Sequence, residues 1–355
     1  MKALVFNGPR DIRYESFDDP VIQDERNLVI EVTRCSICGS DLHMYHGDRI
    51  GKTDYSQPIA RFCTGHETIG EVVEIGRGVH RHKVGDRIVV AGGAGCGSCR
   101  RCHLGQGNLC EAYRTGAPHS TAYGISPALN GGHAEYLEVF NADLTATTIP
   151  EGVSDEQAIL LTDAMATGYY GVKMSSVGPG DTVAVIGQGP VGRMAAEAAL
   201  AVGASCVYAI DPQEERRNAA LSFGAIPLHP DEAVQRAYED TKGLGVDSVI
   251  EAVGVGQTLS QAVKLARVGG RLSVLGILQA DTSMPLQKVQ GKSLVVHMGI
   301  AGIVDSWPEL IPLIQSGRIR GENVFTHNFN LADGAEAYRM FEAQEDGVMK
   351  VMITP

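Results

Sequence analysis

The sequence predicts a mixed α/β chain of two domains, one β-rich and one built on a parallel sheet covered by helices. Three observations predict it. At 355 residues the chain is about two domains long. Its first 150 residues read as short strands separated by Gly-rich turns, and past Asp155 the pattern changes to strand–helix alternation. With 44% hydrophobic residues there is material for a core in each half, which excludes intrinsic disorder. The net charge of −12, with no Lys/Arg cluster to override it, excludes nucleic acid and anionic membranes as expected partners. The N-terminus turns polar by Asn7, unlike a signal peptide, and no apolar run approaches the ~20 residues of a membrane span. A soluble, cytoplasmic protein is expected.

In chain order, strands are predicted over 28–34, 68–76 and 86–92, where apolar residues alternate or run on between glycines. The second half then gives strand 181–187, an Ala-rich helix 191–202, strand 206–211 and helix 212–223. Strand 246–251, helix 258–266 and strand 271–276 follow. That rhythm is βαβ, hence a parallel sheet. From about 296 onward come a helix over 307–316, a strand over 324–329, a helix over 332–343 and a closing strand over 349–355. This is too much chain for one more βα unit, so part of it is assigned back to the first domain.

Four of the eight cysteines, Cys96, Cys99, Cys102 and Cys110, fall within fifteen residues. Two-residue gaps are too short for comfortable disulfides, and four thiolates this close suit a closed tetrahedral zinc site, therefore a structural one. Gly95, Gly97, Gly105 and Gly107 would supply the tight turns of such a lobe (about 95–111). Cys35, Cys63 and Cys206 read as small buried hydrophobes.

Gly187-Gln188-Gly189-Pro190-Val191-Gly192 is G-x-G-x-x-G at a strand end, opening a helix. The first glycine allows the turn, the second lets the backbone approach a pyrophosphate, and the third lets helix and strand pack closely. Asp211 ends the next strand, 19 residues past Gly192, where a carboxylate would bind the adenine ribose hydroxyls and repel a 2′-phosphate. NAD is therefore expected over NADP. Arg216 and Arg217 either fold back onto a phosphate or form the solvated face of the next helix.

Two further stretches carry candidate metal chemistry: Cys38-Gly39-Ser40-Asp41-Leu42-His43, and Gly65-His66-Glu67 continuing to Gly70 and Gly76. Cys and His are good zinc ligands, and each lies beside a carboxylate that could orient it. On the residues alone, a site with Cys38, His66 and one more ligand is plausible. Other histidines, such as His46, His82, His119 and His133, read as core or surface residues.

Taken together, GHE-x2-G-x5-G-x2-V over 65–79, the CGSDLH run, the four-cysteine lobe and GQGPVG resemble the zinc-dependent medium-chain alcohol dehydrogenase family, across essentially the whole chain. The resemblance implies a GroES-like catalytic domain (1–154 and 296–355) around a Rossmann domain (155–295), with a catalytic zinc in the cleft between them. It implies Cys38 and His66 as ligands, Glu67 near the metal, Asp41 orienting His66, and Ser40 and His43 as the relay for the substrate proton. Thr167 matches a residue that packs on the nicotinamide. The family's third-ligand position holds Asp163 where many members carry Cys; this is similar to the secondary-alcohol, polyol and formaldehyde-oxidising branches. The same Asp could instead be a helix N-cap.

These assignments imply two zinc ions per chain, one catalytic and one structural, and reversible NAD-dependent oxidation of a small alcohol, with secondary alcohols favoured. The alternatives are a formaldehyde-oxidising, dismutating or polyol dehydrogenase of the same family, and a non-catalytic NAD-binding protein. Gly92 and Gly93, in the run 91–95, either line a roomy pocket or merely permit a turn. Relatives form dimers or tetramers through a sheet edge, and the apolar segment 294–304 is either such an edge or an interior strand, so a homo-oligomer is expected.

Overall fold

Long β-branched runs and Gly punctuation build the first unit, seen in a computed structural model that describes residues 1–50, 53–93, 95–114, 122–278 and 281–355. This unit comprises 1–163, 302–307 and 322–355. Its centre is the ten-residue strand Leu28–Ile37, buried except at Glu31, Thr33 and Arg34, in a seven-stranded sheet. Antiparallel to it run Glu67–Ile75, Tyr136–Val139 and the C-terminal Val351–Thr354. Arg87–Val90 and Ala146–Thr148 extend the sheet on one side. On the other, His327–Asn330 pairs parallel with the C-terminal strand. A smaller sheet orders Asp11–Ser16, Lys2–Gly8 and Phe62–Cys63. The core draws on Leu4, Phe6, Leu28, Ile30, Ile37, Phe62, Ile88 and Val139.

Register here decides which side chains meet. Ser36 lies opposite Glu67, and Val351 opposite Ile37, so three segments far apart in sequence converge at one end of the sheet. Gly65, at φ +94°, precedes that strand; a Cβ there would stand 2.3 Å from the buried His133 ring, so the glycine before His66 is required by packing.

The second unit comprises 164–301 and 308–321. It is a six-stranded, all-parallel sheet in the order Ile226–Leu228, Cys206–Ile210, Thr182–Ile186, Val246–Glu251, Ala266–Val274, Val295–Met298. This is the doubly wound order whose direction reverses beside the first strand in sequence. Buried alanines of the helix Pro190–Ala201 (Ala195, Ala196, Ala198, Ala199) let it pack tightly on the sheet.

Several elements differ from the sequence expectation. The unit boundary falls at 163 rather than 154, because the helix Asp155–Thr162 packs on strands of the first unit. The segment 296–301 belongs to the second unit, since Val295–Met298 pairs with Ala266–Val274 as the last strand of the parallel sheet. Residues 308–321 also go with the second unit. The helix expected over 212–223 is α-helical only at Glu214–Ala219 and tightens to a 3₁₀ turn at Ala220–Phe223. An unforeseen helix, Pro230–Asp240, packs through a narrow stripe of Ala233, Val234, Ala237 and Tyr238 in an otherwise polar segment, a helical period the sequence reading passed over. Cys35 and Cys63 are buried as expected, but Cys206 is only part-buried. No helix among the described residues is long and apolar enough to cross a membrane.

The helix Asp155–Thr162 opens with a capping box: Ser154 accepts from the Gln157 N–H, and the Gln157 side chain accepts from the Ser154 N–H. Ser154→Ala is expected to cost about 1 kcal/mol, read as a lower urea midpoint of unfolding.

Candidate metal centres and dinucleotide site

Cys38 ends the central strand's run, His66 precedes the strand Glu67–Ile75, and Asp163 follows the helix Asp155–Thr162. The fold brings all three together. Cys38 Sγ lies 3.3 Å from Asp163 Oδ2, and His66 Nε2 lies 3.4 Å from the same oxygen. A four-coordinate zinc with bonds of about 2.0–2.3 Å holds its ligand atoms about 3.3–3.8 Å apart, so these residues fit the ion. Asp163 thus sits with the other two candidate ligands as well as at a helix boundary.

The neighbours of these ligands tune their charge. His66 Nδ1 lies 3.1 Å from Asp41 Oδ1, and Asp41 Oδ2 accepts the Cys38 N–H at 2.9 Å. Burial pushes the His66 imidazolium down, but Asp41 and Asp163 outweigh it and hold its basicity well above the ordinary value. Burial, and then the charge of Asp163, push the Cys38 thiol up. Without a cation this site resists holding thiolate and carboxylate together; a bound dication balances both charges. Ser40 Oγ stands 3.3 Å from His66 Nε2, beside the same cluster. His43 lies further along the helix Asp41–His46 and is part-exposed.

Glu67 belongs to the same group: one ligand atom from each of Cys38, His66, Glu67 and Asp163 can be chosen with all four within 4.8 Å of one another. It is fully buried and paired with two residues that sequence reasoning missed. Lys350 Nζ lies 2.5 Å from Glu67 Oε2, and the Ser36 hydroxyl donates to the same oxygen. Lys350 Nζ also donates to Ile37 O at 3.3 Å. Burial raises the Glu67 carboxyl despite this ammonium. Lys350 was invisible in the sequence because its partner lies nearly 300 positions away and only strand register unites them.

In the cysteine lobe, the Cys96 and Cys102 sulfurs are 3.9 Å apart and those of Cys99 and Cys110 4.0 Å, with all four within 4.8 Å. This is close to the ~3.8 Å edge of a zinc–sulfur tetrahedron. Backbone N–H groups of Cys96, Cys99 and Cys102 donate to lobe sulfurs at 3.3–3.5 Å. Burial pushes the Cys96 thiol up, but hydrogen bonds from Ser98 and the backbone outweigh it and lower it to about 6. Gly97 and Gly105 take left-handed φ, as expected for turns. Gly95 is instead required by close approach, its Cβ position lying 2.9 Å from Cys102 Sγ; Gly107 meets neither need.

The dinucleotide turn is built as its motif demands. Gly187 has φ +88°, Gly189 precedes the helix with open space at its Cβ position, and Pro190 begins the helix. A Cβ on Gly192 would stand 1.8 Å from Gly187 O, so the strand–helix contact admits nothing larger. Val191 lies between them in the first turn. Asp211 is buried; Oδ2 accepts the Gln188 N–H at 2.8 Å and Oδ1 the Gln213 N–H at 2.8 Å, which locks the carboxylate to the Gly-rich turn. Arg217 donates to Pro212 O, while Arg216 lies beside it on the helix Glu214–Ala219. Thr167 lies in the helix Ala164–Met174, next to Gly168, whose Cβ position is 2.6 Å from Ala195 N of the dinucleotide helix. Gly92 does not take a left-handed φ, so backbone conformation does not require glycine there. Ala94 and His119 lie outside the described residues.

Metal analysis is expected to find two zinc ions per chain in the intact protein. Cys38→Ala or His66→Ala should lose one and keep the other, and Cys99→Ser should lose the other; unchanged content in all three variants would remove both assignments. Lys350→Met leaves a buried carboxylate unpaired and is expected to cost about 3–5 kcal/mol in urea unfolding, with partial recovery when combined with Glu67→Gln.

Comparison with known proteins gives these sites a family. Residues 190–316 match the zinc-binding dehydrogenase family, and residues 24–151 the alcohol dehydrogenase GroES-like domain. The chain is 35% identical to a protein of Mycobacterium tuberculosis named as a probable zinc-binding alcohol dehydrogenase, covering 100% of this chain and 89% of that one. It is 32% identical to (R,R)-butanediol dehydrogenase of Bacillus subtilis, over 100% of both chains. Its fold superposes on the alcohol dehydrogenase TADH of Thermus sp. ATN1 with a TM-score of 0.90 at 34% identity, covering 100% and 99%. Two solved relatives carry different cofactors: one from Sinorhizobium meliloti 1021 is bound to NADP (26% identity, TM-score 0.83), and one from Escherichia coli CFT073 is complexed with NADH (25%, 0.86), each covering 100% of this chain and 99% of its own. With both domains matched and full-length similarity to zinc-type dehydrogenases, the chain belongs to the zinc-dependent medium-chain alcohol dehydrogenase family.

Proposed function

We propose that this alcohol dehydrogenase uses NAD and acts on secondary alcohols and the corresponding ketones. The observation that carries the reading is the meeting of Cys38, His66 and Asp163 at zinc-ligand spacing. Three protein ligands leave one position of a four-coordinate zinc for substrate. Held by these residues, a zinc ion would supply the Lewis acidity that lowers an alcohol's pKa, and a bound nicotinamide would supply the hydride-accepting chemistry.

The chain's own residues do the rest. Asp41 holds His66 at its Nδ1 side, which leaves Nε2 for the metal. Ser40, beside His66 Nε2, would take the hydroxyl proton, and the part-exposed His43 would pass it to solvent. Lys350 and Ser36 hold one oxygen of Glu67. Asp163 offers a carboxylate oxygen, a harder donor than thiolate, and would hold zinc less tightly with easier ligand exchange.

Support for NAD comes from Asp211, fixed against the Gly-rich turn where a 2′-phosphate would meet its charge. Both cofactors occur among relatives, so Asp211 carries the choice. Gly92 packs closely on a ligand residue: a Cβ there would stand 3.3 Å from His66 O and 3.5 Å from His66 Cδ2. The polyol reading has a specific observation in its favour too, since the chain is similar to a butanediol dehydrogenase along its whole length. A homo-oligomer is supported by Val295–Met298, an edge strand with Val295 and Met298 exposed.

Initial rates with NAD and NADP, each with a primary alcohol, its 2-alcohol isomer and a vicinal diol, test the reading. Faster oxidation of the 2-alcohol with NAD is expected. A faster primary alcohol would detach substrate choice from Asp163, and faster turnover with NADP would overturn the role given to Asp211.

A further inference from the structure

The helix Asp41–His46 begins beside the metal cluster and ends abruptly. Gly47 stops it in the left-handed region at φ 83°, ψ 22°. A Cβ there would lie 2.9 Å from Pro9 Cγ, so glycine is required on both counts. Two backbone bonds close the turn: the Gly47 N–H donates to Met44 O at 3.0 Å, and the Asp48 N–H to His43 O at 2.9 Å. This paired closure carries the second residue past the helix back over the start of its last turn. Position 48 is therefore placed against position 43 by the main chain, whatever side chain it bears.

Here it bears a carboxylate. Asp48 Oδ2 lies 3.0 Å from His43 Nδ1. An ionised carboxylate only accepts hydrogen bonds, so Nδ1 must carry the proton. In the neutral ring this leaves Nε2 as the basic nitrogen. The contrast with His46, three residues on, is informative: its Nε2 lies 3.0 Å from Glu342 Oε1, so the opposite nitrogen is engaged. Two histidines on one short helix are thus held by different carboxylates through different nitrogens.

We propose that Asp48 is a positioning residue for the proton relay, setting the tautomer and orientation in which His43 Nε2 receives the proton that leaves the alcohol. The inference rests on the relay reading of Ser40 and His43. Proton balance is simple: the alcohol loses its hydroxyl proton through Ser40 to Nε2, and Nε2 releases it to water, while Nδ1 keeps its proton throughout. His43 is 29% exposed and Asp48 50%, so the pair contributes little as a surface ion pair; its worth lies in orientation. Nothing in the CGSDLH run announces this role, because Asp48 falls outside it and is brought back only by the Gly47 turn.

A double-mutant cycle on the zinc-loaded enzyme tests this. Asp48→Ala, Asp48→Asn, His43→Ala and the Asp48→Ala/His43→Ala pair are compared for kcat and KM in alcohol oxidation, with zinc content and thermal midpoint measured on each. Because the turn is closed by the backbone of residue 48, these variants keep the helix end. Asp48→Ala and His43→Ala are each expected to lower kcat about 10-fold. KM should stay within about 2-fold. The double variant should be no slower than His43→Ala alone, the signature of two residues acting as one unit. Asp48→Asn, whose amide can donate to Nδ1 and select the other tautomer, should be no faster than Asp48→Ala. Wild-type kcat in both Asp48 variants alongside a slow His43→Ala would overturn the role of Asp48 and leave the relay standing. Losses that add in full would make Asp48 a structural residue only. Wild-type kcat in His43→Ala would remove the relay itself, and this inference with it.

Discussion

Gathering a thiolate and an imidazole each within 3.4 Å of one carboxylate oxygen, largely out of water, is the constraint on which the first unit depends. Such a cluster repels itself until a cation arrives, so every segment that delivers a ligand must be held by packing done elsewhere. The central strand Leu28–Ile37 delivers Cys38, the strand Glu67–Ile75 begins at the residue after His66, and the capped helix Asp155–Thr162 delivers Asp163. Glu67 would add a further buried negative charge. Lys350, donated by the C-terminal segment that returns to the first unit, is paired with it.

The second unit is governed by backbone proximity rather than charge. Its dinucleotide turn works only because Gly187 can adopt a positive φ and Gly192 has no side chain to strike Gly187 O. The same economy recurs where Gly168 meets the dinucleotide helix. Asp211 fastens the turn from the neighbouring strand, so the residue that would read the ribose also stiffens the loop that would cradle the phosphates.

Much of this was legible in the sequence because the chemistry is local. The four cysteines, G-x-G-x-x-G with its following acid, and the Cys38 and His66 stretches each announce themselves within a few residues. Strand and helix alternation is equally local; the helix Pro230–Asp240 was passed over because its apolar stripe is built on small alanines, Ala233 and Ala237, flanked by Val234 and Tyr238, within a highly charged segment. The boundary at 163 was missed because a helix carries no mark of the sheet it will pack on.

What the sequence by itself determined is the fold class, the kinds of ligand available and the dinucleotide turn, since each depends on residue type at short spacing. What only the tertiary structure decided is partnership. That Ser36 and Lys350 hold Glu67, that Asp163 stands beside Cys38 and His66, and that Asp48 faces His43 all follow from strand register, a helix end or a left-handed turn. Such contacts join positions whose separation along the chain has no fixed relation to their distance in space, so no local pattern can encode them.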